Sequence, residues 1–234
     1  FSTKWYVSLF SNDGMIDAAW NSLRIGVMSA TLALALGTPA GLVMSRFGRF
    51  KGRTLFSGMI AAPLVMPEVI TGLSLLLLFV TLEQMVGWPA GRGISTITIA
   101  HTTFCAAYVA VVVQSRLSGM DTSVEEAAMD LGAKPAKIFF VITLPMILPA
   151  LLAGWLLSFT LSLDDLVIAS FVAGPGSTTL PMKVFSSVRL GVSPEINALA
   201  TLIILTVSAM ILISSLLILR SERNRSRASS TEEA

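Results

Sequence analysis

The chain has 234 residues, of which 54% are hydrophobic and 13% are charged. This composition leaves too little polar surface for a soluble globule of that length, so we expect an integral membrane protein. The formal net charge of +2 is too small to indicate a nucleic-acid partner. The single cysteine, Cys105, lies inside an apolar run, which excludes a disulfide within the chain and leaves no thiolate set for a metal. We expect a packed core thiol.

Five apolar runs are long enough to cross the roughly 30 Å hydrocarbon core of a bilayer as helices. They predict spans at about residues 22–45, 55–82, 94–115, 139–163 and 196–219. We interpret residues 1–220 as one all-α transmembrane domain, and residues 221–234 as a disordered cytoplasmic tail. The second run contains Pro63, Pro67 and the charged Glu68, so it is either a kinked span or a helix broken near mid-membrane.

The basic residues indicate how the chain is oriented. Four of them, with no acid, occupy the loop of residues 46–53 after the first span, and four arginines between residues 220 and 227 follow the last span. The positive-inside rule therefore predicts that both segments, and hence the carboxyl terminus, are cytoplasmic. The amino terminus is then outside. Because no signal precedes it, we expect a further span upstream, which would make six.

Residues 121–145 form a polar segment between the third and fourth spans. A threonine or serine at its start can cap a helix. In a capping box, the side chain of Glu125 or Glu126 would in turn accept a hydrogen bond from the backbone N–H of that capping residue. Gly132 supplies the backbone freedom that ends a helix. The resulting helix of about two to three turns is too short to be stable alone in water. We therefore expect it to rest on a partner surface.

The same segment contains a spaced pattern: Glu126-Ala127-Ala128, three residues, Gly132, nine residues, Ile142, one residue and Leu144-Pro145. This pattern resembles the EAA loop of ABC-importer permeases, and the I-x-LP ending makes it specific. The resemblance implies a type I importer permease fold and a coupling helix seated in a cleft of a separate ATPase subunit. The alternative is an interfacial amphipathic helix with a chance match. The coupling residues would be Glu125, Glu126, Ala127, Ala128 and Gly132.

Three acids are candidates for an intramembrane role: Glu68 in the second run, and Asp164 and Asp165 at the end of the fourth. A carboxylate at mid-bilayer costs about 2.5 to 3.5 kcal/mol on insertion scales, so Glu68 should face protein or water. Asp164 and Asp165 point about 100° apart on any continuing helix, so one can bind a ligand while the other caps or pairs. The alternatives are a salt bridge between Glu68 and a neighbouring subunit, and a solvated outer end of the fourth span for the two aspartates.

No nucleotide-binding or catalytic motif is present in the sequence. GRFKGRT and GPGSTT lack the spacing of a phosphate-binding loop, so ATP hydrolysis would need a separate subunit. There is no HExxH motif and no second histidine to join His101 at a metal, so we expect neither metal nor cofactor. We interpret His101 as a packing residue hydrogen-bonded within the bundle, with a role in a cavity as the alternative.

Three further stretches resemble the polyamine permeases, most of all the second permease subunit of putrescine importers: APLVMPEVITGLSLLLLF, SLDDLVIASFVAGPGSTTLP and SPEINALAT. The likeness extends over about residues 5–200. It implies a multi-pass subunit of the bacterial inner membrane that works with a homologous permease, two ATPase subunits and a periplasmic polyamine-binding protein. A diamine needs acids for its charges and aromatic side chains for its methylenes. The candidate pathway residues are Glu68, Asp164, Asp165, Tyr108, Trp155 and Phe159.

Two other classes of transporter stay open. A permease for another solute, such as an anion, would favour basic groups or helix amino termini in its cavity, yet the predicted spans carry lysine and arginine only at their ends. A secondary transporter would use intramembrane acids for ion coupling, but normally has inverted repeats with paired broken helices. An intramembrane enzyme would need a catalytic constellation, and the sequence offers none.

Overall fold

The computed structural model describes residues 4–191, 194–202, 204, 205 and 208. Every regular element within those residues is helical, which confirms the all-α fold class. The elements are α1 (Lys4–Phe10), α2 (Asp13–Arg46), α3 (Arg53–Val65), α4 (Glu68–Val86), α5 (Ile94–Ser118), α6 (Ser123–Asp130), α7 (Pro135–Ile138), a π-helical turn (Phe139–Thr143), α8 (Leu144–Asp164), α9 (Val167–Val172) and α10 (Leu180–Leu190). Residues 194–202 are also helical.

Two compact units are present. The larger is Gly14–Lys183, and the described parts of residues 1–13 and 184–234 form the other. In the smaller unit, Glu195 joins α1 to the helix of residues 194–202, because its carboxylate accepts hydrogen bonds from Ser8 Oγ and, at 3.3 Å, from Asn12 Nδ2. The candidate site lies wholly within the larger unit.

Four helical stretches of the described residues are long and apolar enough to cross a membrane: Asp13–Arg46, Glu68–Val86, Ile94–Ser118 and Pro135–Asp164. The predicted second span is divided between α3 and α4, and α3 alone has only 13 residues. The predicted fifth span, residues 196–219, lies mostly outside the described residues. The predicted number of five spans is therefore not confirmed.

The second apolar run is broken, not merely kinked. Met66 is extended, with φ −73° and ψ 136°, because the ring of the proline that follows disfavours the α conformation. Helix α4 then begins at Glu68, and the carbonyl of Pro67 accepts bonds from the N–H groups of Ile70 and Thr71 at 3.0 and 3.1 Å. Pro67 and Glu68 thus mark a real helix boundary within the apolar run, whereas Pro63 lies inside α3.

Glycines on α2 allow this helix to approach α5 closely. A Cβ atom at Gly37 would lie 2.6 Å from the carbonyl oxygen of Ala106, and one at Gly41 would lie 2.7 Å from that of Ala110. Small residues four apart are a common device for packing helices in membranes. Behind them, α2, α5 and α8 share one buried apolar cluster: Ala33, Cys105, Val109, Val113, Leu117, Ile147 and Leu151.

Cys105 belongs to this cluster and is completely buried. Its Sγ atom lies 3.5 Å from the carbonyl oxygen of Ser158 on α8, a weak hydrogen bond. The prediction of a packed core thiol is confirmed.

A π-helical turn precedes α8. The N–H of Leu144 donates to the carbonyl of Phe139, five residues earlier. Pro145 has no N–H, and in an α-helix its ring would clash with the carbonyl four residues before it. The wider turn removes that clash and lets the chain enter α8 without ending the helix.

Candidate coupling helix and substrate pathway

Helix α6, Ser123–Asp130, is two turns long and ends in a Schellman motif. The N–H of Gly132 donates to the carbonyl of Met129 at 2.8 Å, and the N–H of Ala133 donates to that of Ala128 at 3.0 Å. Gly132 has a φ of 82°, in the left-handed region that favours glycine. The predicted length and the predicted ending at Gly132 are both confirmed.

The start of α6 differs from the prediction, because no capping box is formed. Thr122 Oγ1 donates to Glu126 Oε1 at 2.8 Å, since a carboxylate is a strong acceptor for a neighbouring hydroxyl. Asp121 contacts the first turn instead, accepting bonds from the N–H and the hydroxyl of Ser123 at 3.0 and 2.8 Å. These bonds hold the pKa of Asp121 below its usual value, and the bond from the backbone N–H of Ser123 has a larger effect than the bond from its hydroxyl.

The two adjacent glutamates of α6 face different surroundings. Glu125 is only 14% exposed, and its Oε2 lies 3.1 Å from Nε of Arg46, the last residue of α2. Its Oε1 accepts a bond from Thr143 Oγ1 at 2.8 Å. Glu126 and Ala127 are exposed. Of the predicted coupling residues, Glu125 therefore contacts its own chain, whereas the next two lie on an open surface.

No residue of α6 is buried, and large apolar side chains around it are exposed. Val124 and Met129 are 47% and 48% exposed, and Leu131 just beyond the helix is 89% exposed. A helix of eight residues cannot persist through its own hydrogen bonds alone. This surface has the character expected of a docking site.

A cavity of about 400 Å³ lies beside two helix breaks. One break separates α3 from α4 at Met66, and the other separates α8 from α9 at Asp165 and Leu166. Residues from both breaks and from α5 line the cavity. Four of the predicted pathway residues are among them: Glu68, Tyr108, Asp164 and Asp165.

The adjacent aspartates divide two roles between them. Asp165 is buried, and its carboxylate accepts bonds from the N–H groups of Ile168 and Ala169 at 3.3 and 2.7 Å, so that it caps α9. It also lies 3.0 Å from His101 Nε2. Asp164 is exposed where it lines the cavity. The inference that one aspartate caps and pairs is confirmed, and Asp165 is that residue.

His101 lies inside the bundle and is completely buried. Its Nδ1 lies 2.6 Å from Ser162 Oγ and its Nε2 lies 3.0 Å from the carboxylate of Asp165. Since both oxygens of this carboxylate also accept bonds from backbone N–H groups, we assign the Nε2 proton to the contact with Asp165. The interpretation of His101 as a hydrogen-bonded packing residue is confirmed.

The two other aromatic candidates lie elsewhere. Trp155 and Phe159 stack on each other with ring centroids 5.3 Å apart. Trp155 Nε1 donates to Thr31 Oγ1 on α2 at 3.2 Å, and a Cβ atom at Gly26 would lie 3.1 Å from the ring of Phe159. Both rings therefore pack against α2 and are not among the residues that line the 400 Å³ cavity.

Phe104 lines the cavity instead, and sequence reasoning missed it. It stands four residues before Tyr108 on α5, a spacing that places two side chains on the same face of a helix. The four-residue spacing from Tyr108 is the sequence signal that could have identified Phe104.

The helix ends around the cavity favour a cation. Helices α3 and α8 end there, and carboxyl-terminal helix ends carry negative partial charge. Helices α4 and α9 begin there with positive ends, but α4 has Glu68 in its first turn and α9 is capped by Asp165. With Asp164 added, the balance of charge around this space is negative.

The comparisons with known proteins agree with this geometry. Residues 37–227 match the family described as binding-protein-dependent transport system inner membrane component. The putrescine transport system permease protein PotI of Escherichia coli (strain K12) is 63% identical over 227 residues, which cover 97% of this chain and 81% of that protein. The spermidine/putrescine transport system permease protein PotC of the same strain is 45% identical over 221 residues, which cover 94% and 80%.

Solved structures give the same fold. A chain of the inward-facing MetNI methionine ABC transporter matches with a TM-score of 0.69 at 18% identity, covering 88% of this chain and 95% of that one. A chain of an amino acid ABC transporter matches with a TM-score of 0.60 at 20% identity, covering 91% and 98%. The fold and the relatives define the membrane permease of an ABC transporter, which is not itself an enzyme. The chain belongs to the binding-protein-dependent transport system inner membrane component family.

Proposed function

We propose that the chain is one permease subunit of an ATP-driven polyamine importer, which moves putrescine or spermidine from a periplasmic binding protein to the cytoplasm. The observation that carries this proposal is the 63% identity, over 97% of the chain, to a protein named as a putrescine permease. The 45% identity to a spermidine/putrescine permease supports the same substrate class. Putrescine is the first candidate because the putrescine permease shares more of the sequence.

The chemistry of the cavity supports a polyamine. Glu68 and Asp164 offer two separate carboxylates, and both line the space between the two helix breaks. Each carboxylate can attract one ammonium group of a dication. Phe104 and Tyr108 supply aromatic faces for the methylenes and for cation–π contact. We propose these four residues as the substrate pathway, while the predicted contribution of Trp155 and Phe159 would require contact outside this cavity.

We propose that α6 docks on the ATPase subunit. Glu126 and Ala127 are exposed on it, and the exposed apolar side chains around them would be covered on docking. Gly132 would hold the turn that follows the helix in place. The complete importer would then contain this chain, a homologous permease, two ATPase subunits and a periplasmic polyamine-binding protein.

The proposed orientation puts the loop of residues 46–53 and the carboxyl terminus in the cytoplasm, on the basis of their basic residues. The arginines at the carboxyl end lie outside the described residues. Single cysteines introduced by Phe50→Cys and Arg225→Cys, in a background with Cys105→Ala, test this orientation. We expect an impermeant thiol reagent to label neither position from outside intact cells. Labelling of either one would overturn the proposed topology.

The function is tested with the complete importer in proteoliposomes, by measuring uptake of radiolabelled putrescine and spermidine with and without internal ATP. We expect ATP-dependent uptake that requires the binding protein, and copurification of the ATPase subunit. Polyamine uptake driven by an ion gradient without ATP would instead indicate a secondary transporter. ATP-dependent uptake of a different solute, with none of either polyamine, would overturn the assignment of the substrate.

A further inference from the structure

Glu125 connects α6 to two other parts of the larger unit. Its carboxylate forms an ion pair with Arg46, with Nε to Oε2 at 3.1 Å and Nη2 to Oε1 at 3.4 Å. The same Oε1 accepts the hydroxyl of Thr143 at 2.8 Å. Arg46 is the last residue of α2, and Thr143 is the last residue of the π-helical turn. One side chain therefore joins three elements that are far apart in the sequence.

The side chains that form this connection are largely shielded from solvent. Arg46 and Glu125 are 16% and 14% exposed, and Thr143 is buried. A partly buried pair is less screened by salt and water than a surface pair. By contrast, no residue of α6 is buried, so apolar packing does little to fix this helix against the rest of the chain. The polar contacts of Glu125 are therefore a principal attachment of α6.

Each of the two elements that Glu125 contacts, α2 and the π-helical turn, is connected to the lining of the cavity. Helix α2 is packed closely against α5 through Gly37 and Gly41, and α5 contributes Phe104 and Tyr108 to the lining. The π-helical turn continues directly into α8, which ends at Asp164 in the same lining. Helices transmit displacement along their length because their backbone bonds are internal. A movement of α6 that pulled on Glu125 would thus act on two walls of the cavity.

We propose that Glu125 is a positioning residue for coupling, which transmits movement of α6 through Arg46 to α2 and through Thr143 to α8. This inference rests on the proposed docking of α6 on an ATPase subunit. It separates the adjacent glutamates by role: Glu126 faces the partner, and Glu125 faces the transmembrane helices. The π-helical turn is where the second link attaches, at a less regular point of the helix that can change its geometry.

The test compares the complete importer with Glu125→Gln, Arg46→Gln and Thr143→Val in proteoliposomes. The measured quantities are polyamine imported per ATP hydrolysed and the amount of ATPase subunit retained on purification. We expect Glu125→Gln and Arg46→Gln to lower import per ATP while the ATPase subunit is retained, because each change removes the ion pair between α6 and α2. Thr143→Val removes one link of two, so we expect a smaller loss.

The matched control is Arg49→Gln, which removes a charge from an exposed position three residues after Arg46. We expect it to leave import per ATP unchanged. The exchange Arg46→Glu with Glu125→Arg restores an ion pair of reversed direction, and we expect it to recover part of the coupling that either single change loses. A purely structural role would not produce a selective loss of import per ATP that the exchange rescues.

Two results would overturn the proposal. The first is unchanged import per ATP in Glu125→Gln, Arg46→Gln and Thr143→Val. The second is loss of the ATPase subunit from both charge variants, because Glu125 would then contribute to docking and not to transmission. If the unaltered importer retained no ATPase subunit, the proposed function itself would fail, and that outcome is recognised before any variant is compared.

Discussion

Asp165 Oδ2 lies 3.0 Å from His101 Nε2, and both side chains are buried. The same carboxylate also caps α9. Three nitrogen donors therefore lie within 3.3 Å of it: His101 Nε2 and the backbone N–H groups of Ile168 and Ala169. Asp164, one residue earlier, is exposed where it lines the cavity. The geometry thus separates an acid that holds the α8–α9 break together from an acid that is available to a ligand.

This separation predicts opposite effects of two conservative changes. Asp165→Asn weakens the cap and the contact with His101, and we expect a loss of about 1–3 kcal/mol in stability, as for buried polar groups left without good partners. Asp164→Asn should leave stability nearly unchanged and lower polyamine uptake. Thermal unfolding in detergent and uptake in vesicles with equal permease content measure the two effects. Equal thermal stability of both variants would contradict the assignment.

At the α8–α9 break, the sequence predicted the roles of the two aspartates better than it predicted which residues contact them. The 100° rule applies to a continuing helix, whereas α8 ends at Asp164 and Asp165 belongs to the break, where the two acids take different roles. No pattern linked Asp165 to His101, which is 64 residues away. The stacking of Trp155 and Phe159 against α2 was also unpredictable, since it depends on which face of α8 meets that helix. Long-range packing decides such contacts, and periodicity alone does not specify it.

Local signals were more reliable near helix ends. The break before Glu68 and the left-handed turn at Gly132 follow from proline and glycine chemistry within a few residues, and both are present. The capping box failed because the backbone of Thr122 is in the αR region, with φ −81° and ψ −11°, and not in the extended conformation of an N-cap residue. Its hydroxyl donates to the carboxylate of Glu126 instead. The Arg46–Glu125 pair needs the tertiary fold to bring α2 and α6 together, so the sequence could not show it.

Glu68 is the next position to test. Glu68→Gln preserves the shape of the side chain and removes the charge, so we expect reduced uptake of putrescine and spermidine while complex assembly and binding-protein docking persist. The reason is that the cavity then has one carboxylate fewer to compensate a dication. Uptake by vesicles with equal permease content checks this. Normal uptake in Glu68→Gln, Asp164→Asn, Asp165→Asn and the triple variant would show that these acids are structural.

Gly132 tests the coupling helix itself. Valine is strongly disfavoured at the φ of 82° found there, at a cost of about 1–2 kcal/mol for a left-handed residue. We expect Gly132→Val to distort the turn after α6, so that transport and stimulated ATP hydrolysis fall together. No atom lies within 4 Å of the position that its Cβ would occupy, so the effect would come from the backbone and not from a clash. A variant that assembles and transports at the normal rate would refute the role of α6.

The close approach of α2 and α5 leads to the last prediction. At Gly37 even one added methyl group would lie 2.6 Å from the carbonyl oxygen of Ala106 and from Cβ of Val109, so a helix must shift. We expect Gly37→Ala to destabilise the permease by about 1–3 kcal/mol, the usual range for overpacking. Thermal unfolding of the purified subunit in detergent measures this loss.

Gly58 on α3 provides the matched control for Gly37. It is also a helical glycine, but an added Cβ there meets no atom within 4 Å. Gly58→Ala should therefore keep or slightly raise stability, because alanine favours a helix over glycine by about 1 kcal/mol. If both alanine variants unfold at the same temperature as the unaltered subunit, the α2–α5 contact is looser than the geometry requires. Destabilisation of Gly37→Ala alone would locate the effect at the helix crossing, since both changes add the same methyl group to a helix.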